Sequence, residues 1–295
     1  DVAASLEERV VSVVASHGAV LSDTAVLDST LQVSRYATHV GPAGPDNPGL
    51  DISPDARTGG FFHTTDRGTV VYQWAQSLSR FLHGWVGEHA FKAGVDVLHT
   101  RFDGSGAGAP VTIRRADGTL SRRITFSGPA TQQVASTDLA VYLQDRWQPV
   151  PRWLIEAGGR LDRDGTLGRA NGTVRVGSVI ALSEEGTRIV RGGMGLFFER
   201  TPSIVRAFEQ FDVATEERFS ADGVTPLGPP VTLTHRVDGP LVTPSSLAWT
   251  LAYEHQTRGR LSWRVSYLER RSAHEVLLEP VPHDGVVVDE HDVDH

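Results

Sequence analysis

The sequence has 295 residues, with 39% hydrophobic and 22% charged side chains, 30 Gly and 16 Pro, which is the composition of an ordered protein with many turns. A formal charge of -8 and the lack of a long basic run exclude a nucleic-acid-binding surface, because such a surface needs clustered cations. The absence of Cys excludes disulfides, thiolate metal sites and a Cys nucleophile.

The first residues, DVAASLEERV, lack a basic region followed by an apolar one, so we expect no signal peptide and interpret the chain as a mature protein or an excised piece. Apolar runs are short, and VGSVIAL at Val176–Leu182 is among the longest. A membrane helix needs about 18 or more apolar residues. The sequence therefore predicts no spanning helix.

Hydrophobic alternation is the strongest signal along the chain. Apolar and polar side chains alternate with a period of two, which is typical of β-strands with two different faces. The segments, in chain order, are AFKAGVDVL, LAVYLQDRW, WLIEAGGRLD, TRIVRGGMGLFFER, LAWTLAYEHQ and LSWRVSYLER. They span roughly 9 to 14 residues, longer than an ordinary strand and close to the ~9 to 11 residues that cross a bilayer. This length favours an all-β membrane barrel over a β-sandwich.

The connections alternate between short and long. We expect short turns at residues 17–23, 83–88, 148–152, 183–186 and 257–260, and longer links at 37–68, 103–135, 165–172 and 201–245. Transmembrane barrels join their strands by short periplasmic turns and longer external loops. The sequence thus predicts about ten antiparallel, up-and-down spanning strands, with extracellular loops at 37–68, 103–135 and 201–245.

Two of the long links contain local structure of their own. Asp117-Gly118 lies between VTIRR and LSRRITF and predicts a protruding hairpin. In the last link, Ile204, Phe208 and Phe211 follow Pro202 and share one helical face, which predicts a short loop helix.

Two residue sets are assigned to the two faces of the barrel wall. A wet lumen requires polar side chains, and the candidates are Lys92, Asp96, Gln144, Arg146, Glu156, Arg160, Asp162, Glu254 and Arg264. Four tryptophans near short turns are candidates for an interfacial aromatic girdle, namely Trp85, Trp147, Trp153 and Trp263. For each Trp the alternative is ordinary cross-strand core packing.

Together, these segments resemble a known family. GEHAFKAGVDV, SGAGAPVTIRRADGTLSRRITF, LAVYLQDRW, WLIEAGGRLDRDG, GTRIVRGGMGLFFERTP, SLAWTLAYEHQ and LSWRVSYLERRSAHE, in this order and spacing, resemble the barrel of TonB-dependent outer-membrane receptors, particularly the Oar-like branch. The resemblance extends from about Val26 to Pro280. It implies a 22-stranded, plugged barrel of the kind found in outer-membrane transporters. Such a barrel, in the outer membrane of a Gram-negative-type bacterium, imports a scarce solute with energy from a TonB-type coupling protein.

Parts of that family pattern are not found in the sequence. No plug or coupling box precedes Leu6, and the C-terminal VVVDEHDVDH lacks an aromatic-ended last strand. We therefore expect residues 1–282 to form an open part of a larger barrel, and residues 283–295 to form an acidic, His-containing tail or truncated loop. Because barrel diameter is tied to strand number, about ten strands of a larger barrel cannot close. Two unpaired edges should remain.

No catalytic or cofactor motif is recognised. The sequence lacks a nucleophile elbow, a P-loop, a dinucleotide fingerprint and a zinc-protease helix, so we expect no enzyme activity, no cofactor and no metal. His291 and His295 have a metal-binding spacing, but their acidic surroundings predict a hydrated loop. The residues GSGAG at 104–108 predict a flexible loop. Asp96 and Glu156 could be imagined as a glycosidase pair, yet alternating charges are what a wet barrel wall requires.

Several functions share these patterns. The leading hypothesis is part of a receptor with outer-membrane lipid, a small solute or peptide and the coupling protein as partners. A passive porin or surface adhesion barrel would need no plug. A secreted soluble β-rich binding module would instead pack its apolar faces between two sheets. No residue identifies the cargo, so siderophores, oligosaccharides, peptides and cobalamin-like solutes stay open.

Overall fold

The chain is all-β in the computed structural model, which describes residues 3–44, 49–84, 86–128, 131–237, 239–257 and 261–276. Two 3-10 turns, Ser203–Val205 and Phe208–Gln210, are the helical elements within these ranges, and no described helix is long and apolar enough to cross a membrane. The strands in the described ranges are β1 (Ala4–Ser22), β2 (Ala25–Pro42), β3 (Leu50–Ser53), β4 (Ala56–Gly59), β5 (His63–His83), β6 (Glu88–Gly108), β7 (Val111–Arg114), β8 (Leu120–Ser127), β9 (Thr131–Val150), β10 (Trp153–Asp164), β11 (Arg169–Ala181), β12 (Arg188–Phe198), β13 (Val213–Arg218), β14 (Val231–Leu233), β15 (Ser245–Gln256) and β16 (Ser262–Ala273).

The long strands form one antiparallel sheet, called here the main sheet. In the described part of the chain it has ten strands in the order β1-β2-β5-β6-β9-β10-β11-β12-β15-β16. Each long strand pairs with the next long strand along the chain, so the topology is up-and-down. The predicted fold class is confirmed.

The main sheet is open. Within the described residues β1 pairs only with β2, and β16 pairs only with β15. Two strand edges therefore keep main-chain donors and acceptors without a ladder partner, as the strand count predicted.

The two faces of the main sheet differ in chemistry. Residues that oppose each other across antiparallel strands lie on the same face, so the register assigns each side chain to one of the two faces. One side, the apolar face, carries Leu139, Val141 and Leu143, which are 44%, 47% and 57% exposed. Between two packed sheets these side chains would be buried. The soluble sandwich alternative is therefore not the arrangement of the described residues. The other side, the charged face, is described below.

The first strands are longer than the alternation predicted. β5 and β6 each have 21 residues, about 70 Å at ~3.4 Å per residue, whereas about 9 to 11 residues cross a bilayer. The predicted loop bounds 37–68 and 103–135 were wrong at their ends, because the strands continue through Pro42, from His63, through Gly108 and from Thr131. These extensions contain glycine and polar residues without apolar alternation, and ladder hydrogen bonds to neighbouring strands define them instead.

The glycine-rich stretch 104–108 is the end of β6 rather than a flexible loop. A Cβ on Gly104 would lie 2.5 Å from Gln132 Oε1, and one on Gly108 would lie 2.3 Å from Phe126 Cγ. Both distances are far below van der Waals contact. Glycine is needed here because neighbouring side chains lie directly on the β6 backbone.

The predicted longer link at 165–172 was also wrong. β10 and β11 are joined by the four residues 165–168, and β11 begins at Arg169. Asp164 Oδ1 accepts the main-chain N–H groups of Thr166 and Leu167 at 2.7 and 3.0 Å. This aspartate-centred turn is tight, so the short-long rhythm fails once along the chain.

The long links join in a second sheet that the sequence did not predict, called here the loop sheet. Its six described strands have the order β14-β13-β8-β7-β3-β4 and come from three different links. β3 and β7 pair in parallel, and the other pairs are antiparallel. The hairpin predicted at Asp117-Gly118 joins β7 to β8, and Gly118 adopts φ +83° there.

Polar and aromatic contacts fix the loop sheet. Arg114 Nε donates to both carboxylate oxygens of Asp51 at 3.1 and 2.8 Å. Burial raises the pKa of Asp51, but hydrogen bonds from Arg114 and Thr112 together with the Arg114 charge outweigh this effect and lower it. His63 Nε2 lies 2.9 Å from Asp212 Oδ2 and so ties β5 to the last link.

The last long link, residues 199–244, folds back onto the charged face. Ala207 is fully buried against Phe102 and Val134, with Ile204 packed beside them. Ser203 Oγ lies 3.1 Å from Ser136 Oγ. The predicted loop helix is reduced to the two 3-10 turns. Of its predicted apolar residues Ile204 belongs to this cluster, whereas Phe208 and Phe211 pack against His235.

Candidate functional site

All nine residues predicted for the lumen wall lie on the charged face. The register shows this directly, since Lys92 opposes Gln144 and Arg146 opposes Glu156, while Glu254 opposes Arg264. Asp96, Arg160 and Asp162 have the same parity in their strands. Whether this face lines a water-filled lumen stays a prediction.

A cavity of about 590 Å³ brings part of this set together. It lies on the charged face and is lined by side chains from neighbouring strands of the main sheet and by the start of the last link. Five of the predicted residues line it, namely Lys92, Asp96, Gln144, Arg160 and Asp162. The cavity thus lies between the charged face and the start of the last link.

Arg160 is the centre of an ion-pair network in the cavity. Its Nε donates to Asp162 Oδ1 at 2.7 Å, and its Nη2 lies 3.6 Å from Asp96 Oδ2. Asp96 also accepts a hydrogen bond from Gln73 Nε2 at 2.9 Å. The guanidinium lies 6.0 Å from the ring centroid of Tyr142. Two carboxylates and one ring thus fix the Arg160 side chain.

The remaining four predicted residues lie outside this cavity. Arg146 and Glu156 pair at 3.5 Å between Nε and Oε1. Glu254 pairs with Arg264 at 3.6 Å and with Arg191 at 3.2 Å. The predicted polar wall is therefore divided into three separate groups of charges.

Sequence reasoning missed several residues of the cavity. Arg175 lines it from β11, and the alternation of Thr173 and Arg175 with Val174 and Val176 would have identified it. Asp138 and Arg200 also line it and form an ion pair at 3.0 Å. This pair joins β9 to the last link, and no local sequence pattern indicates such a contact.

Most carboxylates of the cavity are engaged in ion pairs. Asp96, Asp162 and Asp138 are each paired with an arginine, whereas Asp164 is buried and its Oδ2 has no hydrogen-bond partner among the described residues. Among the described residues no group of three or more His, Asp or Glu could hold a metal ion. His291 and His295 lie outside the described residues, as does the whole predicted tail, 283–295.

Three of the four predicted interfacial tryptophans lie near short turns. Trp147 Nε1 donates to the Val86 carbonyl at 2.8 Å, and Trp153 Nε1 donates to Ser178 Oγ at 2.8 Å. Trp263 stacks on His255 with ring centroids 5.7 Å apart. Trp85 lies outside the described residues. The interfacial role of these side chains stays a prediction.

The sequence matches the family model described as TonB dependent receptor-like, beta-barrel, over residues 11–188. No curated protein matches it.

Solved structures with the same fold include the RagAB peptide transporter, with 12% identity, a TM-score of 0.62, and 95% of this chain and 32% of that chain covered. The FpvAI–pyocin S2 complex has 13% identity and a TM-score of 0.50, with 88% and 41% covered. The ferric-catecholate import receptor Fiu from E. coli K12 has 13% identity and a TM-score of 0.48, with 92% and 45% covered. The chain thus spans about a third to under half of these relatives.

Proposed function

Because this chain belongs to the TonB-dependent receptor-like β-barrel family, we propose that it forms part of the barrel wall of an outer-membrane receptor that takes a scarce solute into the periplasm. The family consists of transport receptors rather than enzymes. It is located in the outer membrane of Gram-negative bacteria. For this chain the location, the cargo and the coupling partner are part of the proposal, as is membership of the Oar-like branch.

The observation that carries the proposal is the two-faced, open main sheet. Leu139, Val141 and Leu143 are exposed on one face of β9, and Tyr142 and Gln144 line the cavity on the other. The stretch 139–147 rises roughly 20 Å if β9 is tilted by about 40°, close to the ~25 Å apolar band of outer-membrane barrels. Lipid would solvate the apolar face, and water would solvate the charged face.

The ends of the strands suggest an orientation. The short turns, such as 151–152 between β9 and β10, would face the periplasm. The loop sheet and the last link would lie outside the cell, where they would meet a solute or peptide first. Energy would reach the receptor from a TonB-type protein through a plug domain, which the described residues do not form.

A passive porin remains the alternative, since it would use the same two-faced sheet. The two functions differ in their dependence on energy. A porin lets solute equilibrate, whereas a coupled receptor accumulates it against a gradient. The family match supports the coupled receptor.

The test uses the full-length protein produced in a Gram-negative host that lacks its own receptors for the probes. The probes are an isotope-labelled ferric siderophore, a labelled oligopeptide and labelled cobalamin. Cell-associated label is measured with and without a protonophore, and in a host without the coupling protein. We expect one probe to accumulate only in energised cells that have the coupling protein.

The control for membrane location is fractionation of the same cells. We expect the protein in the outer-membrane fraction, with extraction that requires detergent. Accumulation that continues in the host without the coupling protein would support the porin. Recovery of folded protein in the aqueous fraction without detergent would overturn both membrane functions.

A further inference from the structure

Among the described residues, Lys92 and Arg175 are two of the cations that line the cavity without an anionic partner, and Arg163 is another. Lys92 makes no hydrogen bond or ion pair among the described residues, and Arg175 makes one described hydrogen bond, from Nη2 to Gln144 Oε1 at 2.5 Å. Both side chains are exposed and line the same cavity.

The neighbouring carboxylates are already engaged. Asp96 and Asp162 bind Arg160, and Asp138 binds Arg200. Glu199, at the cavity rim, binds Arg270. Asp164 Oδ1 accepts the amides of its own turn, while its buried Oδ2 has no hydrogen-bond partner among the described residues. No described ion pair therefore engages Lys92 or Arg175.

The register places these two cations at the two ends of one row of the charged face. Lys92 opposes Gln144, Gln144 opposes Gly158, and Gly158 opposes Arg175. The four residues thus form one row across β6, β9, β10 and β11, and the two cations are separated by about 14 Å at ~4.8 Å per strand. Gly158 has no side chain, so the Gln144 side chain, which accepts a hydrogen bond from Arg175, is the one that lies between them. A Cβ on Gly158 would lie only 3.4 Å from Gln144 Cβ and 3.2 Å from the Leu143 carbonyl oxygen.

Gln144 adds a third donor to the row. Its Oε1 accepts from Arg175, which can only donate. Its Nε2 group therefore points away from Arg175 and keeps two N–H groups for another acceptor. The row offers an ammonium, an amide N–H and a guanidinium, and no free acceptor.

We propose that Lys92, Gln144 and Arg175 form a subsite for an anionic group, a carboxylate or a phosphate, that lies over Gly158. This inference rests on the proposed function, because it takes the charged face to be the wall of the transport path. Charge-assisted hydrogen bonds from both sides hold the anion. The anionic group belongs either to the transported solute or to a chain segment that fills the lumen.

The test is isothermal titration calorimetry of the full-length protein in detergent, with citrate and with inorganic phosphate as probes. We expect binding that weakens about tenfold or more in Lys92→Gln and in Arg175→Gln, since a charge-assisted hydrogen bond is lost. Arg175→Lys keeps the charge and retains most of the affinity. Arg146→Gln is the matched control, because Arg146 lies on the same face but outside this cavity and is paired with Glu156.

Hydrogen exchange distinguishes the two sources of the anion. If a lumen-filling segment supplies it, the probes do not bind, but exchange in that segment rises in Lys92→Gln and Arg175→Gln and is unchanged in Arg146→Gln. Probe binding with the stated losses assigns the subsite to a solute. If neither effect is seen in variants that keep the heat-modifiable mobility of a folded barrel, the subsite is overturned. The titration measures no transport, so it can fail independently of the uptake experiment.

Discussion

Single aspartates organise the turns on the long-link side of the main sheet. Asp117 accepts the N–H and hydroxyl of Thr119, and Asp164 accepts two amides of the turn that follows it. In Asp222, hydrogen bonds from the hydroxyls of Ser220 and Thr225 and from the amides of Thr225 and Val224 hold the pKa well below its ordinary value. A carboxylate that is used in this way makes its turn sensitive to acid.

The turn around Asp222 should open as the pH falls. A lowered pKa in the folded state means that the stabilisation is complete above the unfolded value, about 4, and is lost as the pH falls towards the folded value. We expect the exchange protection of the Val224 and Thr225 amides, corrected for intrinsic rates, to be constant down to about pH 4 and to decline below it. Mass spectrometry of the full-length protein measures this.

The control for this pH dependence is Asp55→Ala, because Asp55 is an exposed turn residue with no described hydrogen bond. In Asp222→Ala the two amides should exchange quickly at every pH. Protection that declines equally in wild type and Asp222→Ala would show that the carboxylate does not hold this turn.

Residue identities on the charged face were predictable, because alternation with a period of two fixes which side chains share a face. Lys92, Gln144 and Arg160 were assigned in this way. Which of them carry paired charges was not predictable, since the Asp138–Arg200 ion pair joins residues 62 positions apart. The lack of a described ion pair at Lys92 and Arg175 depends on such pairings and becomes visible only in the folded chain.

Strands and turns were predicted best where side chains carry the signal. β10, β15 and β16 follow the alternating segments closely, and the β7–β8 hairpin follows its Asp-Gly turn. The strand extensions and the turn 165–168 were missed because backbone hydrogen bonds and glycine contacts define them. Neither leaves a hydrophobic period in the sequence.

The substitution Gly165→Ala tests whether a close backbone contact constrains the turn 165–168. A Cβ at this position would lie 2.2 Å from the Thr137 carbonyl oxygen, and the Gly165 N–H donates to Asp138 Oδ1 at 2.7 Å. We expect Gly165→Ala to lower the free energy of unfolding by about 1–3 kcal/mol, as overpacking does. Denaturant titration of the full-length protein in lipid vesicles measures the change.

Gly44→Ala is the matched control, since an added Cβ there would meet nothing within 4 Å. We expect it to change the unfolding free energy little. Equal losses in the two variants would mean that the contact between Gly165 and β9 is not what constrains the turn.

At the scale of the whole molecule, the two faces of the main sheet should differ in how much a new charged side chain destabilises the fold. Leu251 lies on the apolar face and is 52% exposed, while its neighbour Thr250 is exposed on the charged face. We expect Leu251→Arg to cost about 2–4 kcal/mol of folding free energy in a bilayer, as an arginine near the midplane does, and Thr250→Arg to cost little.

Reversible unfolding of the full-length variants in phospholipid vesicles checks this difference. In a soluble sandwich the loss of folding free energy in Leu251→Arg would not depend on lipid. Equal losses in vesicles and in detergent-free buffer would therefore contradict the membrane assignment. The main sheet was predictable at this scale from alternation and spacing. The loop sheet was not, because Leu50 pairs with Val111 and Ser127 with Val213, which are far apart in the sequence.

The loop sheet also affects the fidelity of folding. A slip of one residue between two main strands is penalised by the side chains, because every residue would change face. A slip of two residues keeps every side chain on its original face, so hydrophobic alternation alone does not exclude it. Such a slip would displace the ends of a link by about 7 Å, and β3 could no longer reach β7, nor β8 reach β13. The loop sheet can therefore form only when the main strands have paired in the correct register, and it stabilises that register over a slip of two residues.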